Sequence, residues 1–146
     1  MAGDTAPDIR VELYVLDPEQ ITGSPEPGRS TEIRIDGDVQ LRLLASERYA
    51  RAGSPHIMSF ALDFARGIAP SAVAEALWRF LKANKGGRGV VTARVMRRRE
   101  RQGVDEPTGR PVTERHELWV AIPLRSNREA RRRIDAFFAE VLGAPG

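Results

Sequence analysis

Alternating hydrophobic and polar positions predict a series of β-strands along this chain. Near its start, apolar residues occupy every second position: Ile9, Val11, Leu13 and Val15. Because successive side chains of a strand point to opposite faces, this spacing indicates a strand with one buried face. Similar patterns predict five strands in all, near residues 8–16, 31–35, 38–44, 89–99 and 112–124.

The Asp36-Gly37 dipeptide separates two of these stretches and predicts a tight β-hairpin. A two-residue type I′ turn needs positive φ at both central positions, and Asp-Gly is favoured there. We therefore expect residues 31–35 and 38–44 to pair as antiparallel strands.

Two segments repeat apolar residues with the period of an α-helix. Near residues 70–83, Pro70 stands at the favourable first position, and Gly86-Gly87 follows the end. Near residues 127–142, Ser126 and Glu129 have the spacing of a capping box. In that motif the serine oxygen accepts a helical N–H and the glutamate reaches back to the serine N–H.

The stretch from Ser54 to Arg66 fits both periods. The residues that fit a helix are Ile57, Phe60, Ala61 and Phe64. Those that fit a strand are Met58, Phe60, Leu62 and Phe64. Ser54-Pro55 has the character of an N-cap and a first-turn proline, and Gly67 follows the end, so the local signals favour a helix.

These elements predict a single α+β domain over residues 1–146, with a mainly antiparallel sheet of about five strands covered by two helices, or three if 55–66 is helical. Residues 1–7 are expected to be flexible. Residues 17–30 are expected to be a mobile loop without helix or ladder, because prolines and glycines recur there. Residues 97–116 lose the apolar face altogether, so we expect this hairpin to project as an arm or to be disordered.

Composition narrows the class of protein. The chain contains no cysteine, so disulfides and thiolate metal sites are excluded. No apolar run reaches the roughly 20 residues of a membrane helix. The first residues show no secretory signal, so we expect a cytoplasmic protein.

The net charge of +3 hides an uneven distribution. Residues 1–73 contain 7 Lys+Arg and 11 Asp+Glu, whereas residues 74–146 contain 16 and 9. Such asymmetry attracts polyanions, or brings the basic half of one molecule to the acidic half of another. A solvated surface without a binding role is the alternative interpretation.

Arginines cluster in the predicted arm, which contains Arg97, Arg98, Arg99, Arg101, Arg110 and Arg115. A basic two-stranded ribbon can enter a DNA groove, and guanidinium groups bind phosphates through paired hydrogen bonds. Acidic residues share the arm, however, and cross-strand pairing with Glu114 and Glu117 would leave a solvated hairpin. The arm also lacks the aromatic residues that stack on bases.

A second basic cluster lies on the last predicted helix, where the candidate partner-binding or phosphate-binding residues are Arg128, Arg131 and Arg132. Arginine near a helix N-terminus opposes the helix dipole, so a carboxylate or phosphate from a partner would be favourable there. An ordinary polar helix face is the alternative.

Groups suited to catalysis or metal binding are scarce. His56 and His116 have no partner at a catalytic spacing. Asp63 lies among apolar residues and would need a partner such as Arg66. The basic loop 85–89 runs from a helix to a strand, the reverse of a phosphate-binding loop, and is interpreted as a helix cap and turn. We predict no catalytic residue, no metal site and no cofactor.

The small-residue stretch 67–78 resembles helices in small accessory components encoded beside bacterial defence effectors. The likeness covers under a tenth of the chain and assigns no functional residue. The sequence favours a non-enzymatic interaction or assembly component that self-associates or docks on a partner protein. The alternative is nucleic-acid binding through the arginine-rich arm.

Overall fold

The computed structural model describes residues 8–23, 31–48 and 56–143 of the chain. Within these ranges the protein forms two layers, a six-stranded antiparallel sheet and a pair of helices packed on one of its faces. The elements are β1 (Asp8–Val15), α1 (Glu19–Thr22), β2 (Glu32–Asp36), β3 (Val39–Arg48), β4 (His56–Phe64), α2 (Pro70–Asn84), β5 (Val90–Val104), β6 (Pro111–Ile122) and α3 (Asn127–Leu142). The predicted α+β class is confirmed.

β1 lies inside the sheet, whose strand order is β2-β3-β4-β1-β5-β6. It pairs antiparallel with β4, where Val11 is opposite Phe60, and antiparallel with β5, where Val11 is opposite Val95. β4 and β5 therefore run parallel with β1 between them, and α2 forms the crossover that parallel strands require. β2 and β6 are the two edges of the sheet.

The hydrophobic core lies between the sheet and the helix pair. The odd-numbered residues of β1, from Ile9 to Val15, are at most 1% exposed, whereas the even-numbered residues are partly exposed. α2 and α3 cover this apolar face with the buried side chains Val73, Leu77, Leu81, Ile134 and Phe138. Among the described residues, no helix combines the length and apolar character needed to cross a bilayer.

An ion pair joins the two covering helices. Arg131 of α3 lies 2.5 Å from Glu75 of α2 and 3.1 Å from Asp135 in its own helix. Partial burial acts to raise the pKa of Glu75, but hydrogen bonds from Arg79 and Arg131 outweigh it, so the pKa lies below its ordinary value. The pair therefore favours the ionised carboxylate at the helix interface.

The start of α3 forms half of the predicted capping box. Ser126 Oγ accepts the Glu129 N–H at 3.2 Å. The Ser126 N–H donates instead to Pro123 O at 3.1 Å, and the Glu129 carboxylate accepts from Arg132 at 2.7 Å. The serine cap is confirmed, and the reciprocal contact from Glu129 is replaced by these two bonds.

The loop after α2 matches its interpretation as a helix cap and turn. Gly86 and Gly87 have φ of +81° and +57°, values that favour glycine. A Cβ at Gly89 would lie 2.1 Å from Asn84 O, so the backbone approaches too closely there for any side chain. Lys85 Nζ donates to Leu124 O at 3.0 Å and to Asn127 Oδ1, which ties this loop to the start of α3.

Residues 56–64 form a strand, so the helix favoured for 55–66 is wrong. β4 lies between β1 and β3 and has a backbone neighbour on both sides. Met58, Phe60 and Leu62 are buried, as the strand alternation requires. Pairing on both sides overrides the local helix signals, a common outcome for short apolar segments. Ser54 and Pro55 lie outside the described residues.

The expectation of no helix in residues 17–30 is wrong for Glu19–Thr22, which form one helical turn. Pro18 precedes it with φ −58°, a value already helical, and an Asp17 carboxylate oxygen accepts the Glu19 N–H at 3.2 Å. Residues 24–30 and 1–7 lie outside the described part of the chain.

The β2–β3 hairpin forms as predicted, but with a different turn. Asp36 is opposite Val39, so the loop residues are Gly37 and Asp38. Neither has positive φ, and the type I′ conformation predicted for Asp36-Gly37 is therefore wrong. A register shift between Arg34 and Asp36 moves the turn along by one residue.

Candidate functional site: the extended hairpin

The β5–β6 hairpin continues beyond the rest of the sheet. Pairing of β5 with β1 ends at Arg98, opposite Asp8, whereas pairing with β6 continues to Val104, opposite Pro111. Within the described residues, β5 has β6 as its only neighbour from Arg99 to Val104. We call residues 97–116 the arm. They form an ordered ladder in which no residue reaches the core cluster.

The tip of the arm is a closed turn. Asp105 N–H donates to Arg110 O at 2.8 Å, and Gly109 N–H donates to Asp105 O at 2.7 Å. Thr108 Oγ1 donates to the Asp105 carboxylate at 2.5 Å, and Gly109 has φ +67°. These bonds fix the loop between the two strands, so the arm is structured from its base to its tip.

One face of the hairpin carries paired charges and continues the uncovered face of the sheet. Arg98 lies 3.4 Å from Glu117, and Arg115 lies 3.5 Å from Glu100, both across the ladder. Cross-strand pairs of opposite charge contribute modestly to stability, about 0.2–1 kcal/mol each. The arginines on this face are thus partly neutralised by the hairpin itself.

The opposite face of the hairpin carries three alternating arginines. Arg97, Arg99 and Arg101 lie on the same side of β5 because side chains alternate along a strand. None of the three forms an ion pair with another described residue. Glu114 stands opposite Arg101 in the ladder, yet its carboxylate lies 3.5 Å from His116 Nε2. The positive charge of the arm is therefore concentrated on this face.

A tryptophan marks the base of the arm on the uncovered face of the sheet. Trp119 Nε1 donates to Glu117 at 3.0 Å, and the Arg94 guanidinium lies 4.2 Å above the indole ring. Arg94 also lies 2.7 Å from Glu12 of β1. Trp119 nevertheless remains 40% exposed, so the contacts orient the ring without covering it.

β6 is a long edge strand. It has 12 residues, whereas β2 at the other edge has 5. No described residue pairs with the outer side of β6, so its outward N–H and C=O groups are available for another strand. Sequence reasoning missed this edge because strand order cannot be derived from one sequence. Pro111 and the polar run 113–117 were the available signals, since proline and charge are typical of edge strands.

The remaining candidate arginines, one at the tip of the arm and three on α3, do not belong to the row formed by Arg97, Arg99 and Arg101. Arg110 is at the tip, where its carbonyl closes the turn. Arg131 is committed to Glu75 and Asp135, and partial burial, which acts to lower its pKa, is outweighed by these carboxylates, which raise it. Arg132 pairs with Glu129 at 2.7 Å. Arg128 is exposed and is the one of the three helix candidates without an ion pair to a described residue.

Asp63 pairs with a different arginine from the one expected. Its carboxylate accepts Arg42 Nε at 2.9 Å across the β3–β4 ladder, and this hydrogen bond raises the pKa of Arg42. Arg66 is exposed in the turn after β4, so the expected Asp63–Arg66 pair is wrong. In the part of the chain that the structure describes, no group of three His, Asp or Glu side chains is placed to hold a metal ion.

The fold is thus a two-layer α+β protein with one hairpin extended past its sheet. Comparison of the chain with protein-family models gave no match. Comparisons with curated proteins and with solved structures also gave no match. The geometry of the hairpin is therefore the basis for assigning a function.

Proposed function

We propose that this protein is a non-enzymatic interaction or assembly component that self-associates through its extended hairpin. The observation that carries the proposal is the arm, an ordered ladder in which no residue belongs to the core and no residue beyond Arg98 pairs with β1. Because the core contains no residue of the arm, we expect the arm to contribute little to the stability of the fold. A cytoplasmic location belongs to the same proposal, supported by a sequence without cysteine.

Charge balance on the arm supports a protein partner. Residues 97–117 contain six arginines and five acidic residues, and two cross-strand ion pairs satisfy part of that charge internally. A surface of mixed charge suits recognition of another mixed surface, because opposite charges can meet in a defined register. The unpaired edge of β6 adds backbone groups that another strand can use.

Sedimentation velocity over a protein concentration range of about 1–200 μM tests self-association, since ordinary interface affinities fall in that range. We expect a shift from monomer to a larger species within it. An arm that associates through charge should also weaken at 1 M salt, where the Debye length falls to about 3 Å. A monomer at all concentrations in low salt would overturn the proposal.

Nucleic-acid binding is the second candidate function, and the row Arg97, Arg99 and Arg101 favours it. These arginines share one face and have no ion pair with a described residue, so their guanidinium groups can bind phosphates. Three phosphate contacts predict a slope of about −3 in log affinity against log salt on duplex DNA. Failure to shift DNA or RNA at about 50 mM salt would eliminate this candidate.

Two matched variants distinguish phosphate binding by the arm from binding governed by the net positive charge of the protein. Arg99→Glu with Arg101→Glu reverses two charges on the arm, and Arg128→Glu with Arg133→Glu reverses two on α3. All four side chains are exposed, so neither change should disturb the core. If the arm binds phosphates, the first variant loses binding and the second retains most of it. Equal losses would indicate binding governed by net charge.

A further inference from the structure

The outer edge of β6 has the length and the backbone orientation to accept another strand. Asp105 N–H bonds to Arg110 O, which makes these two residues a hydrogen-bonded pair of the antiparallel ladder. Because such pairs alternate along the ladder, the odd-numbered residues of β6 direct their N–H and C=O groups away from β5. Pro111, which has no N–H, begins the strand at one of these outward positions.

The order of residues along β6 makes it complementary to a second copy of itself. When two antiparallel β6 strands are centred on His116, Arg115 of each copy stands opposite Glu117 of the other. This places two opposite-charge pairs beside the symmetry axis. No residue of the strand then meets a residue of like charge.

The same register brings apolar and aromatic residues together. Val112, which is 37% exposed, stands opposite Val120 of the second copy. Thr113 stands opposite Trp119 of the second copy, whose ring is otherwise 40% exposed. Each arm would thereby lie along the base of the partner's hairpin and cover surface that is open in one chain.

Neighbouring registers are less favourable. Centring the pair on Arg115 opposes two arginines, and centring it on Glu117 opposes two glutamates, each directly across the axis. Centring it on Leu118 avoids like charges but forms neither Arg115–Glu117 pair and shortens the ladder. The charge sequence of β6 thus selects one register out of those near its centre.

We propose that two copies of this chain form a dimer by antiparallel pairing of their β6 edges, centred on His116, to give one continuous sheet of both subunits. This proposal rests on the proposed function and specifies its partner as a second copy and its interface as one strand. The two-fold symmetry makes the interface isologous, so the assembly closes at two chains.

A single cysteine tests the register directly, because the natural chain has none. Residues at the axis form a non-hydrogen-bonded pair with Cα atoms about 4.5 Å apart, a spacing that accepts a disulfide. His116→Cys should therefore form a covalent dimer under mild oxidation at concentrations where the natural chain is dimeric.

Thr113→Cys is the matched control on the same exposed strand. In the proposed register the two residues at position 113 are six residues apart along the ladder, about 20 Å. This variant should remain uncrosslinked. Crosslinking of Thr113→Cys as strong as that of His116→Cys, or crosslinking of Glu117→Cys in place of His116→Cys, would overturn the register.

A charge exchange tests the ion pairs. In a dimer of Arg115→Glu, the new glutamate of each copy faces Glu117 of the other copy. In a dimer of Glu117→Arg, the new arginine of each copy faces Arg115 of the other copy. Each variant should therefore dimerise on the order of tenfold more weakly than the natural chain. An equal mixture of the two restores both opposite-charge pairs in the heterodimer. Changes within each hairpin, such as the lost Arg98–Glu117 contact, are the same in monomer and dimer and do not affect this comparison.

Sedimentation of the mixture should recover the natural dimer affinity, and Arg99→Glu mixed with Glu117→Arg should not, because position 99 lies on β5. The natural chain could dimerise while the mixture of Arg115→Glu and Glu117→Arg fails to regain its affinity and His116→Cys fails to crosslink. In that case the proposed β6 interface is wrong, but the proposal of self-association stands. If the natural chain stays monomeric throughout, both proposals fail.

Discussion

The body of the sheet and the arm are built from the same two strands but under different constraints. In the body, β5 pairs with both β1 and β6, and residues such as Val95 are fully buried under the helices. In the arm, the same strand has one described neighbour, and Val104 is 65% exposed. The body therefore supplies the packing on which folding depends, whereas the arm is held by its own two-stranded ladder and its closed tip.

The ion pairs of the body and of the arm differ in distance and in exposure. Arg94 and Glu12 pair at 2.7 Å in the body, where the Glu12 side chain is 14% exposed. Arg115 and Glu100 pair at 3.5 Å in the arm, where both side chains are more than half exposed. Exposed pairs contribute little to stability, so the ion pair of the arm should stabilise the fold less than that of the body.

The largest expected effect is loss of a body side chain. Phe60 is fully buried at the centre of β4, and Phe60→Ala should lower the free energy of unfolding by about 3–5 kcal/mol. Val104→Ala in the arm should change it by less than about 0.5 kcal/mol. Urea denaturation monitored by circular dichroism measures both, and similar losses would abolish the distinction between body and arm.

An intermediate effect is expected at the start of α3, where the body meets the hairpin. Ser126→Ala removes the hydrogen bond to the Glu129 N–H and should lower stability by about 1 kcal/mol. Ser71→Ala is the control, since Ser71 is exposed in the first turn of α2 and makes no side-chain hydrogen bond to a described residue. Equal effects in thermal denaturation would show that the cap does not stabilise the helix.

A smaller effect is expected from acid. The folded-state pKa of Glu75 lies below its ordinary value of 4.5, so its contribution is complete above that pH and is lost as the pH falls through the folded value. Glu75→Gln should flatten the decline of stability below about pH 4.5. Glu140→Gln on the exposed face of α3 serves as the comparison, and an identical slope in both variants would contradict the assignment.

The smallest effect on stability is expected from shortening the arm. Joining Arg101 to Glu114 through an Asn-Gly turn removes residues 102–113 and leaves the β1–β5 ladder and the core intact. At a low concentration, where the natural chain is monomeric, the shortened chain should have nearly the same midpoint of thermal denaturation as the natural chain. Loss of cooperative unfolding would mean that the arm stabilises the body.

Sequence patterns predicted the elements of the body well where local and tertiary preferences agree. The alternation from Ile9 to Val15 and the serine cap at Ser126 are both present. Residues 56–64 were predicted incorrectly because their apolar residues satisfy two periods, and only pairing with β1 and β3 selects the strand. The turn at Gly37 was misjudged because a one-residue register shift leaves no local signal.

The residues of the candidate site could be predicted from the sequence, but their arrangement in space could not. The arginine cluster in residues 97–101 identified the arm, and the loss of an apolar face predicted that it lies away from the core. The division of those arginines between a paired face and an unpaired face follows from the β5–β6 register, which depends on the structured tip at Asp105 and Gly109. The exposed edge depends on strand order, which requires the whole fold.

The position of β1 has a consequence for how the chain folds. Arg10 lies opposite Ala61 on one side and Met96 on the other, so both neighbours of β1 lie much later in the chain. Such non-local pairing slows folding, because chain entropy is lost before the contacts form. As the chain leaves the ribosome, β1 cannot complete its two ladders until residues up to Arg98 have emerged, so the sheet closes around it only after β4, α2 and β5 are available.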